Sequence, residues 1–310
     1  MIEKLSNAYA PSGREEGVRN LISEELLDFY NEINVDNLGN LIIHKPGKKK
    51  KIAITAPMDE VGFIITHIKN DNLVISSSIG TVNKNTLQGI VARDDNNNLY
   101  ISEICDNLSI INKKVKDLKF TAMTECKVDK LNNYLLSKTL IYDTKFRKTE
   151  KYYTGKALER SVSCDLLCNL ARNLTDSLYE YYFIFSAYNY CDNKGAYTAT
   201  YGLEIDELYN ICGVSAEESI KLSGGPVIIL RDGMMIASQK LADKFEKYEN
   251  KQLLVSSDKI SEGGIYQKQF TTHNVISIGI PVMNLYSPNE AVYRSDIEST
   301  FKMIKEVVLP

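Results

Sequence analysis

Two acidic residues that directly follow an apolar run have the clearest chemical potential in this chain. In the stretch IAITAPMDEVGF, residues 52–63, a strand-like segment is followed by Asp59 and Glu60. A histidine at the end of such a strand, with an aspartate two residues later, commonly holds an imidazole ligand at the carboxyl edge of an α/β sheet. Pro57 stands at the histidine's position, and proline has no lone pair to give to a metal. The pattern therefore predicts the frame of a metal site without its first ligand.

Cysteine and histidine supply further candidate ligands. The chain has six cysteines, which we expect to be reduced thiols in a cytosolic protein. Cys164 and Cys168 are four residues apart in SVSCDLLCNLARNL, where apolar neighbours favour burial on one helix face, and a metal or redox pair is the alternative. The three histidines, His44, His67 and His273, lie on strand-like or loop segments, and we expect structural or surface roles for them.

The composition argues against several classes of protein. With 310 residues, 44% hydrophobic and 25% charged, the chain is typical of a soluble protein with one large core and a smaller second domain. Its formal net charge is −3, and the dense basic run at residues 48–51 predicts a solvated hairpin tip rather than a nucleic-acid surface. No segment approaches the roughly 18 apolar residues of a membrane helix, and the amino terminus has no signal-peptide core, so we expect a cytoplasmic location.

Sequence patterns before residue 66 predict a helix followed by strands. Ser12 and Glu15 form a capping-box pattern ahead of an amphipathic helix with apolar positions at 18, 21, 22, 26 and 27. The segments EINVD and LIIHK, joined by a turn at residues 37–40, predict a hairpin. The segment KIAITAP predicts a buried strand.

The rest of the chain shows two kinds of pattern. From about residue 66 to 152, short alternating segments broken by Asn, Asp and Gly predict a β-rich insert. Beyond residue 155, strand patterns alternate with helical ones, which include SQKLADKFEKYENK and SDIESTFKMIKEVV. This order predicts an α/β core with a mostly parallel sheet flanked by helices, formed by residues 1–66 and 153–310, and an inserted β-barrel-like domain at residues 67–152.

Several motifs follow one another in an order that resembles a known peptidase family. In chain order they are LSNAYAPSGREEGVR, VDNLGNLI, APMDEVGFIITHI, SSIGTVNKNTLQG, GKALERSVSC, YYFIFSAYNYCDNKGA, SGGPVIILRDGMMIAS and LYSPNEAV. Together they resemble the dinuclear metallo-aminopeptidases of metallopeptidase family 42, which includes glutamyl aminopeptidase, deblocking aminopeptidases and the tetrahedral TET particles, and whose members are sometimes labelled endoglucanases. The resemblance spans nearly the whole chain. It implies a zinc-aminopeptidase-like core and an inserted domain that joins subunits into dimers and often dodecamers.

The same resemblance implies that most metal-binding positions are substituted. By motif position, the family's residues fall on Pro57 for the first histidine, Glu159 for the bridging aspartate, Asn189 for the general base, and Tyr190, Cys212 and Tyr286 for the remaining ligands. Two divalent cations about 3.5 to 4 Å apart need several anionic and imidazole ligands. Glu159 and Cys212 cannot supply these alone, and an asparagine cannot take the proton of an attacking water. We therefore expect no intact metal site and no catalytic residue.

A residual pocket is expected where the family holds its metals. Its candidate residues are Asp59, Glu60, Glu159, Tyr188 and Cys191. The first two acids would either hold a cation with Glu159 or accept hydrogen bonds from local backbone N–H groups. Cys191 and the cysteine at position 212 would either form a thiol pair or fill space. Tyr188 and the tyrosines at 190 and 286 would cluster, either as a cradle for a ligand or as packing that replaces the metals.

Three functional hypotheses follow from this resemblance. The leading one is a catalytically inactive aminopeptidase homologue without a cofactor, retained as a binding or assembly protein that forms homo-oligomers. The second is a divergent aminopeptidase that removes amino-terminal residues from peptides with a rebuilt site of Asp59, Glu60, Glu159 and Cys212 and a bound Zn, Co or Mn ion. The third is a non-catalytic subunit that assembles with an active paralogue. The expected partners are further copies, a peptide or that paralogue, and neither nucleic acid nor a membrane.

Overall fold

A computed structural model describes residues 1–70, 73–103, 109–111, 114–123, 135–174, 178–217, 219–269 and 272–309. Its strands, in chain order, are β1 (Glu32–Val35), β2 (Leu41–Lys45), β3 (Lys51–Pro57), β4 (Gly62–Asn70), β5 (Leu73–Ile79), β6 (Val91–Arg93), β7 (Leu99–Ser102), β8 (Ser109–Ile111), β9 (Lys114–Lys116), β10 (Leu118–Ala122), β11 (Thr139–Tyr142), β12 (Arg147–Lys148), β13 (Tyr152–Gly155), β14 (Glu180–Ser186), β15 (Glu207–Ser215), β16 (Val227–Arg231), β17 (Gln252–Val255), β18 (Val275–Val282) and β19 (Glu290–Tyr293). Its α-helices are α1 (Ile2–Asn7), α2 (Glu16–Leu26), α3 (Leu158–Asn173), α4 (Lys194–Ala199), α5 (Gln239–Ala242), α6 (Gly263–Lys268) and α7 (Arg294–Val308), with 3₁₀ turns at Lys84–Thr86 and Asp243–Phe245.

An eight-stranded mixed sheet forms the centre of the fold, in the order β1-β2-β14-β3-β15-β18-β16-β17. The central strands β14, β3, β15 and β18 run parallel to one another. Antiparallel pairs join β1 to β2, β2 to β14 and β18 to β16. Strand β3 is buried from Ile52 to Pro57, which is typical of a central strand with helices on both sides. The predicted α/β class, the hairpin of β1 and β2 and the buried strand β3 are confirmed.

Helices cover both faces of this sheet. On one face, α2, α3 and α7 bury apolar residues such as Val18, Leu167 and Ile304 against the strands. On the other face, α4 and α6 bury Ala196 and Ile265. Each face therefore has its own hydrophobic cluster, which removes apolar surface from water. Within the described residues, no helix is both long enough and apolar enough to cross a membrane.

Six strands in the middle of the chain close into a barrel, in the order β10-β5-β4-β11-β6-β7. The barrel has its own hydrophobic cluster, in which the Phe63 ring meets the rings of Phe120 and Tyr142 edge to face at centroid distances of 5.2 and 5.6 Å. The predicted barrel-like insert is confirmed as an architecture. Its first strand, β4, already begins at Gly62, and the division of the chain into domains at residues 67 and 152 stays a prediction.

The segment before α2 differs from the predicted capping box. Helix α2 begins at Glu16, and its N-cap residue Glu15 makes no side-chain capping bond. Instead, Ser12 Oγ donates a hydrogen bond to Asp59, and the Glu15 carboxylate accepts hydrogen bonds from two loop N–H groups at 2.7 and 2.9 Å. The capping-box prediction is wrong because these side chains connect the segment to the strand ends of the sheet.

Two other local predictions need correction. The basic run at residues 48–51 is not a hairpin tip, because β14 lies between β2 and β3. Its Lys48 and Lys49 N–H groups donate to the backbone oxygen of Leu178 at 3.0 Å. The long helix predicted over residues 238–251 is reduced to α5 and the 3₁₀ turn that follows it, because the chain then enters the edge strand β17, which pairs with β16.

Candidate functional site

The carboxyl ends of the central parallel strands meet at one edge of the sheet. Strand β3 leads into residues 58–61, β14 into residues 187–193, and β18 into residues 283–289. Parallel strands end at the same edge, so these loops and the first turn of α3 come together there. Most residues singled out from the sequence lie on these segments.

Pro57 ends β3 without the loss of a sheet hydrogen bond. The N–H of Met58 donates to the backbone oxygen of Ser186 in β14 at 2.8 Å, so the nitrogen of Pro57 faces the other neighbour, β15. The pairing of β3 with β15 ends at Thr55. Proline is therefore tolerated at this position, and it brings no ligand atom to the site.

Asp59 is fully buried beside the loop that follows β14. Its Oδ2 accepts hydrogen bonds from Ser12 Oγ and from the N–H of Tyr190, the latter at 2.9 Å. Its Oδ1 has no hydrogen-bond partner among the described residues. Burial, together with the Glu15 carboxylate, raises the pKa of Asp59 from 3.8 to about 7. Asp59 thus joins the amino-terminal segment to the loop that carries Tyr190.

Glu60 is directed toward the amino-terminal segment. Its carboxylate lies 2.7 Å from Lys156 Nζ and 3.2 Å from Arg160 Nη2, and it accepts a hydrogen bond from the Ala10 N–H at 3.0 Å. All three charged side chains are buried, and Arg160 also donates to a backbone oxygen of α1 at 3.1 Å. The Glu60 carboxylate therefore forms ion pairs with the side chains of Lys156 and Arg160 and is not directed at Glu159.

Glu159 lies in the first turn of α3 and is buried. Its Oε2 accepts a hydrogen bond from the Tyr190 hydroxyl at 2.9 Å. Its side chain packs on Gly213, where an added Cβ would lie only 2.3 Å from Glu159 Cγ. Burial and the Glu290 carboxylate raise the pKa of Glu159 to about 8, so this group is mostly protonated at pH 7.

Two tyrosine rings lie between the strand ends and the barrel. The rings of Tyr190 and Tyr286, here called the tyrosine pair, meet edge to face with centroids 5.6 Å apart and pack against the barrel core. Gly80, just after β5, leaves space for Tyr190, because an added Cβ there would lie 2.8 Å from the ring. Such edge-to-face contacts contribute about 0.5–1.5 kcal/mol beyond burial. The tyrosine pair therefore links the sheet edge to the barrel.

The other residues of the predicted pocket have separate surroundings. The Tyr188 ring lies against Gly13, where an added Cβ would be 3.0 Å away. Within the described residues it makes no ring contact with Tyr190 or Tyr286, so the predicted cluster of three tyrosines is reduced to the tyrosine pair. Cys212 is a buried free thiol, and burial raises its pKa well above the ordinary value. Asn189 and Cys191 are half-buried in the loop that contains Tyr190.

The other cysteines and histidines noted in the sequence lie on α3, β2, β4 and the segment before β18. Cys164 and Cys168 are buried in α3, as their apolar neighbours predict, and Cys164 Sγ donates to the backbone oxygen of the last residue of β3 at 3.1 Å. His44 lies on β2 between two glutamate carboxylates, at 2.5 and 3.1 Å. His67 is exposed on β4, and His273 is exposed just before β18.

Two buried glutamates at the site were missed by the sequence analysis. Glu262 accepts a hydrogen bond from Ser186 Oγ at 2.7 Å, while its Oε1 has no partner among the described residues, and burial raises its pKa to about 8. Glu290 accepts hydrogen bonds from the N–H groups of Glu159 and Tyr286 at 2.9 and 2.8 Å, and burial raises its pKa to about 7. The sequence offers only an acid before Gly-Gly in SEGG and an acid in SPNEAV, neither with ligand spacing.

A pair of divalent metals does not fit this arrangement. In the part of the chain that the structure describes, no group of three His, Cys, Asp or Glu side chains is placed to hold a metal ion. Glu60 forms ion pairs with two basic side chains, and Glu159 accepts a hydrogen bond from a tyrosine hydroxyl. The tyrosine pair fills space without adding imidazole or carboxylate ligands. The residues present therefore do not suit the dinuclear centre that the family resemblance implies.

A cleft of about 280 Å³ borders the tyrosine pair, and we call it the tyrosine cleft. Besides the two rings, it is lined by Gly80, Thr81, Asn189, Asp192, Asn193, Lys259, Ile260 and Ser261. A neighbouring cleft of about 480 Å³ shares Thr81, Lys259, Ile260 and Tyr286 with it. The site therefore has a concave surface next to the tyrosine pair.

Sequence comparison places these features in a known family. The sequence model of the M42 glutamyl aminopeptidases matches residues 39–303. The chain belongs to the M42 glutamyl aminopeptidase family. A candidate aminopeptidase from Acetivibrio thermocellus is 26% identical to this M42 protein over 331 residues, which cover 99% of this chain and 97% of the relative. The family resemblance carried by the motifs is confirmed.

Solved structures show the same fold for this M42 protein. An aminopeptidase from the archaeon Desulfurococcus kamchatkensis has a TM-score of 0.88 at 23% identity, covering 99% of this chain and 93% of that chain. The TET1 peptidase of Pyrococcus horikoshii, which can assemble into a tetrahedron or a large octahedral shell, has a TM-score of 0.85 at 22% identity, covering 98% and 97%. At this level of identity the likeness establishes the fold alone.

Proposed function

We propose that this M42 protein is a catalytically inactive member of its family that serves as a binding or assembly protein. The observation that best supports this proposal is the hydrogen bond from the Tyr190 hydroxyl to Glu159, with the Tyr286 ring packed against that of Tyr190. Both rings stand at positions that the resemblance assigns to metal ligands, and they offer packing in place of coordination. Asn189, at the position of the general base, carries an amide that cannot accept a proton from water at neutral pH.

A divergent aminopeptidase with a rebuilt site is the second candidate. Asp59 and Glu262 each keep one buried carboxylate oxygen without a hydrogen-bond partner among the described residues, and raised pKa values of about 7 and 8 would suit a general base. An observation against this candidate is that Glu60, one of the four residues of the rebuilt site, already forms ion pairs with Lys156 and Arg160. Cys212 is a buried free thiol, and within the described residues it belongs to no group of three His, Cys, Asp or Glu side chains placed to hold a metal ion.

Release of amino-terminal residues from peptides tests these two candidates. We expect no release by the purified protein with millimolar Zn²⁺, Co²⁺ or Mn²⁺. A matched comparison is the variant that carries Pro57→His, Glu159→Asp, Asn189→Glu, Tyr190→Glu, Cys212→Asp and Tyr286→His, because only this set has the ligand inventory for two metals. Release that is sensitive to a chelator and follows the unmodified protein through gel filtration would favour the divergent enzyme.

We further propose that copies of this protein associate through the inserted barrel in the cytoplasm, as dimers or assemblies up to a dodecamer. This proposal is supported by the TET1 fold likeness and by the separate hydrophobic core of the barrel. Light scattering should give a mass that is a multiple of the chain mass, and a single-chain mass would contradict it. An active M42 relative that co-purifies from native extract would assign the role of a non-catalytic subunit instead.

A further inference from the structure

Strand β17 forms one edge of the eight-stranded sheet, and β16 is its only strand neighbour in the described part of the chain. The two strands run parallel, and the N–H groups of Gln252 and Ser256 donate to backbone oxygens within residues 226–231, at 2.8 and 3.0 Å. Because backbone groups alternate in direction along a strand, the N–H and C=O groups of Leu253 and Val255 point away from β16. These outward groups can pair with a further strand.

The exposed side chains of β17 are apolar. Leu253 is 57% exposed and Val255 is 65% exposed, and both point to the same face because they are two residues apart. Natural edge strands commonly carry a charge or a proline that prevents edge-to-edge pairing. The sequence of β17, Gln-Leu-Leu-Val, contains neither. This edge is therefore open to a partner strand.

A second copy of this chain fits the edge. Two copies of one strand edge that are related by a two-fold axis pair in antiparallel orientation. The outward groups bond to each other when Leu253 of one copy lies opposite Val255 of the other, which sets Leu254 opposite its own counterpart. Each exposed leucine then packs on an exposed valine across the interface. In the same register, the exposed residues Glu249 of one copy and Lys259 of the other approach each other with opposite charges.

The other edge strand of the sheet, β1, does not favour the same arrangement. By the same alternation, its outward residues are Ile33 and Val35. The equivalent register would place Glu32 opposite Asp36 of the second copy, and two carboxylates directly opposite each other repel. The equivalent positions of β17 hold a neutral glutamine and a neutral serine. The charge pattern therefore favours pairing through β17.

We propose that β17 pairs with β17 of a second copy, so that the two central sheets join into one continuous sheet. This interface goes beyond the proposed association through the barrel, because β17 belongs to the central sheet and none of the barrel strands takes part. A pair of four-residue strands is smaller than a standard protein interface, which buries about 1,200–2,000 Å². The contact is therefore weak by itself, and it gains strength where the barrel already joins copies.

Disulfide trapping on the full-length protein tests the pairing and its register, because it captures weak contacts. Leu254→Cys places two thiols in a non-hydrogen-bonded antiparallel pair, whose Cα atoms lie about 4.5 Å apart, within the range of a disulfide. Leu253→Cys is the matched control, since its counterpart is two residues out of register, at roughly 8 Å. After mild oxidation we expect a cross-linked dimer of Leu254→Cys on non-reducing gels. Leu253→Cys should give only the background of the unmodified protein, which keeps its six cysteines.

Charge changes at the two exposed positions give a second test in the Leu254→Cys background. Leu253→Lys with Val255→Lys sets lysine opposite lysine in this register, so the cross-linked dimer should be lost. Leu253→Lys with Val255→Glu sets each lysine opposite a glutamate of the other copy, so the dimer should return. Both pairs place charges at the same exposed positions, and a general effect on folding would not separate them. Val35→Lys, at an exposed position of β1, should leave the cross-link unchanged.

The proposal is overturned if Leu254→Cys cross-links no more than Leu253→Cys, or if the lysine pair cross-links as well as the lysine–glutamate pair. Light scattering measures the barrel association separately. A single-chain mass together with the Leu254→Cys cross-link would remove the proposed barrel association and keep this inference. A multiple of the chain mass without the cross-link would remove this inference alone.

Discussion

At the scale of single residues, Tyr190 connects two buried acids, and its position is one that the family resemblance assigns to a metal ligand. Its N–H donates a hydrogen bond to Asp59 and its hydroxyl donates one to Glu159, each at 2.9 Å. A buried carboxylate without a cation carries a high desolvation cost, which it avoids by binding a proton or a strong donor. The raised pKa of both acids and the tyrosine hydroxyl together meet this requirement. Hydrogen bonds and raised pKa values thus stabilise both acids in the buried site.

Removal of the Tyr190 hydroxyl tests this account. Tyr190→Phe keeps the ring contact with Tyr286 but leaves Glu159 without its donor. We expect the free energy of unfolding in urea to fall by about 1–3 kcal/mol, the usual cost of an unsatisfied buried polar group. Tyr201→Phe is the matched control, because Tyr201 is 88% exposed, and it should leave stability unchanged. Equal stability of both variants would show that the hydroxyl contributes nothing.

The buried acids also predict how stability depends on pH. The pKa of Asp59 and Glu290 is raised to about 7, and that of Glu159 and Glu262 to about 8, from 3.8 for aspartate and 4.5 for glutamate. Between the ordinary and raised values the folded protein binds more protons than the unfolded chain. The stabilisation from these groups is therefore complete below the ordinary values. It is lost as pH rises toward about 8, so the free energy of unfolding should fall across this window.

Urea unfolding at a series of pH values measures this effect. Glu262→Gln replaces one titrating acid by a neutral amide, so its stability should fall less steeply with pH than that of the unmodified protein. Glu24→Gln, at an exposed position in α2, is the control and should keep the unmodified slope. Stability that rises with pH over the window would contradict raised pKa values for these acids, and equal slopes for all three proteins would contradict a raised pKa for Glu262.

At the scale of elements, the sequence predicts the strands and motif positions that depend on local patterns. Alternation and apolar runs locate β1, β2 and β3, and the motif order locates Pro57 at a strand end and Glu159 at a helix start, whereas Cys212 lies inside β15. Local patterns fail to predict the elements and contacts that depend on tertiary pairing. Edge strand β17 exists because it pairs with β16, and Ser12 binds Asp59 rather than a helix end. The predicted division at residues 67 and 152 depends on contacts between domains, which a single sequence does not contain.

Buried polar groups of the site are hidden from the sequence for the same reason. Glu262 and Asn193 come close to Ser186 and the tyrosine pair only because four parallel strands end at one edge. Nothing in their local spacing indicates a ligand or a pocket. Residues of this kind are found from burial and missing hydrogen-bond partners in the folded structure.

The turn after β5 gives a prediction at this scale. Gly80 and Gly89 both have a left-handed φ, +78° and +66°. A Cβ at Gly80 would lie 2.8 Å from the Tyr190 ring, whereas no atom of the described residues lies within 4 Å of a Cβ at Gly89. Each change to alanine should cost about 1–2 kcal/mol for the backbone conformation. Gly80→Ala should lower the free energy of unfolding by at least about 1 kcal/mol more than Gly89→Ala, because the new methyl group displaces the Tyr190 ring. Equal losses of unfolding free energy in urea would contradict close packing at Gly80.

At the scale of the whole molecule, the tyrosine pair joins the barrel to the sheet edge by ring packing. A ligand that does not bind the native state contributes nothing to its stability. We therefore expect EDTA to leave the thermal midpoint unchanged. The variant with all six family residues restored should be destabilised without metal and recover when Zn²⁺ or Co²⁺ is supplied. A midpoint of the unmodified protein that falls with EDTA and recovers with one metal would contradict this account.

The metal content of the purified protein tests the central claim most directly. Protein produced in medium supplemented with Zn²⁺, Co²⁺ and Mn²⁺, and purified without chelator, can be measured by inductively coupled plasma mass spectrometry. The six-residue variant prepared in parallel shows that the procedure retains bound metal. An inactive homologue whose metal position is filled by the tyrosine pair predicts far less than one equivalent of any of these metals per chain. One or two equivalents per chain would contradict it and favour a working metallo-aminopeptidase.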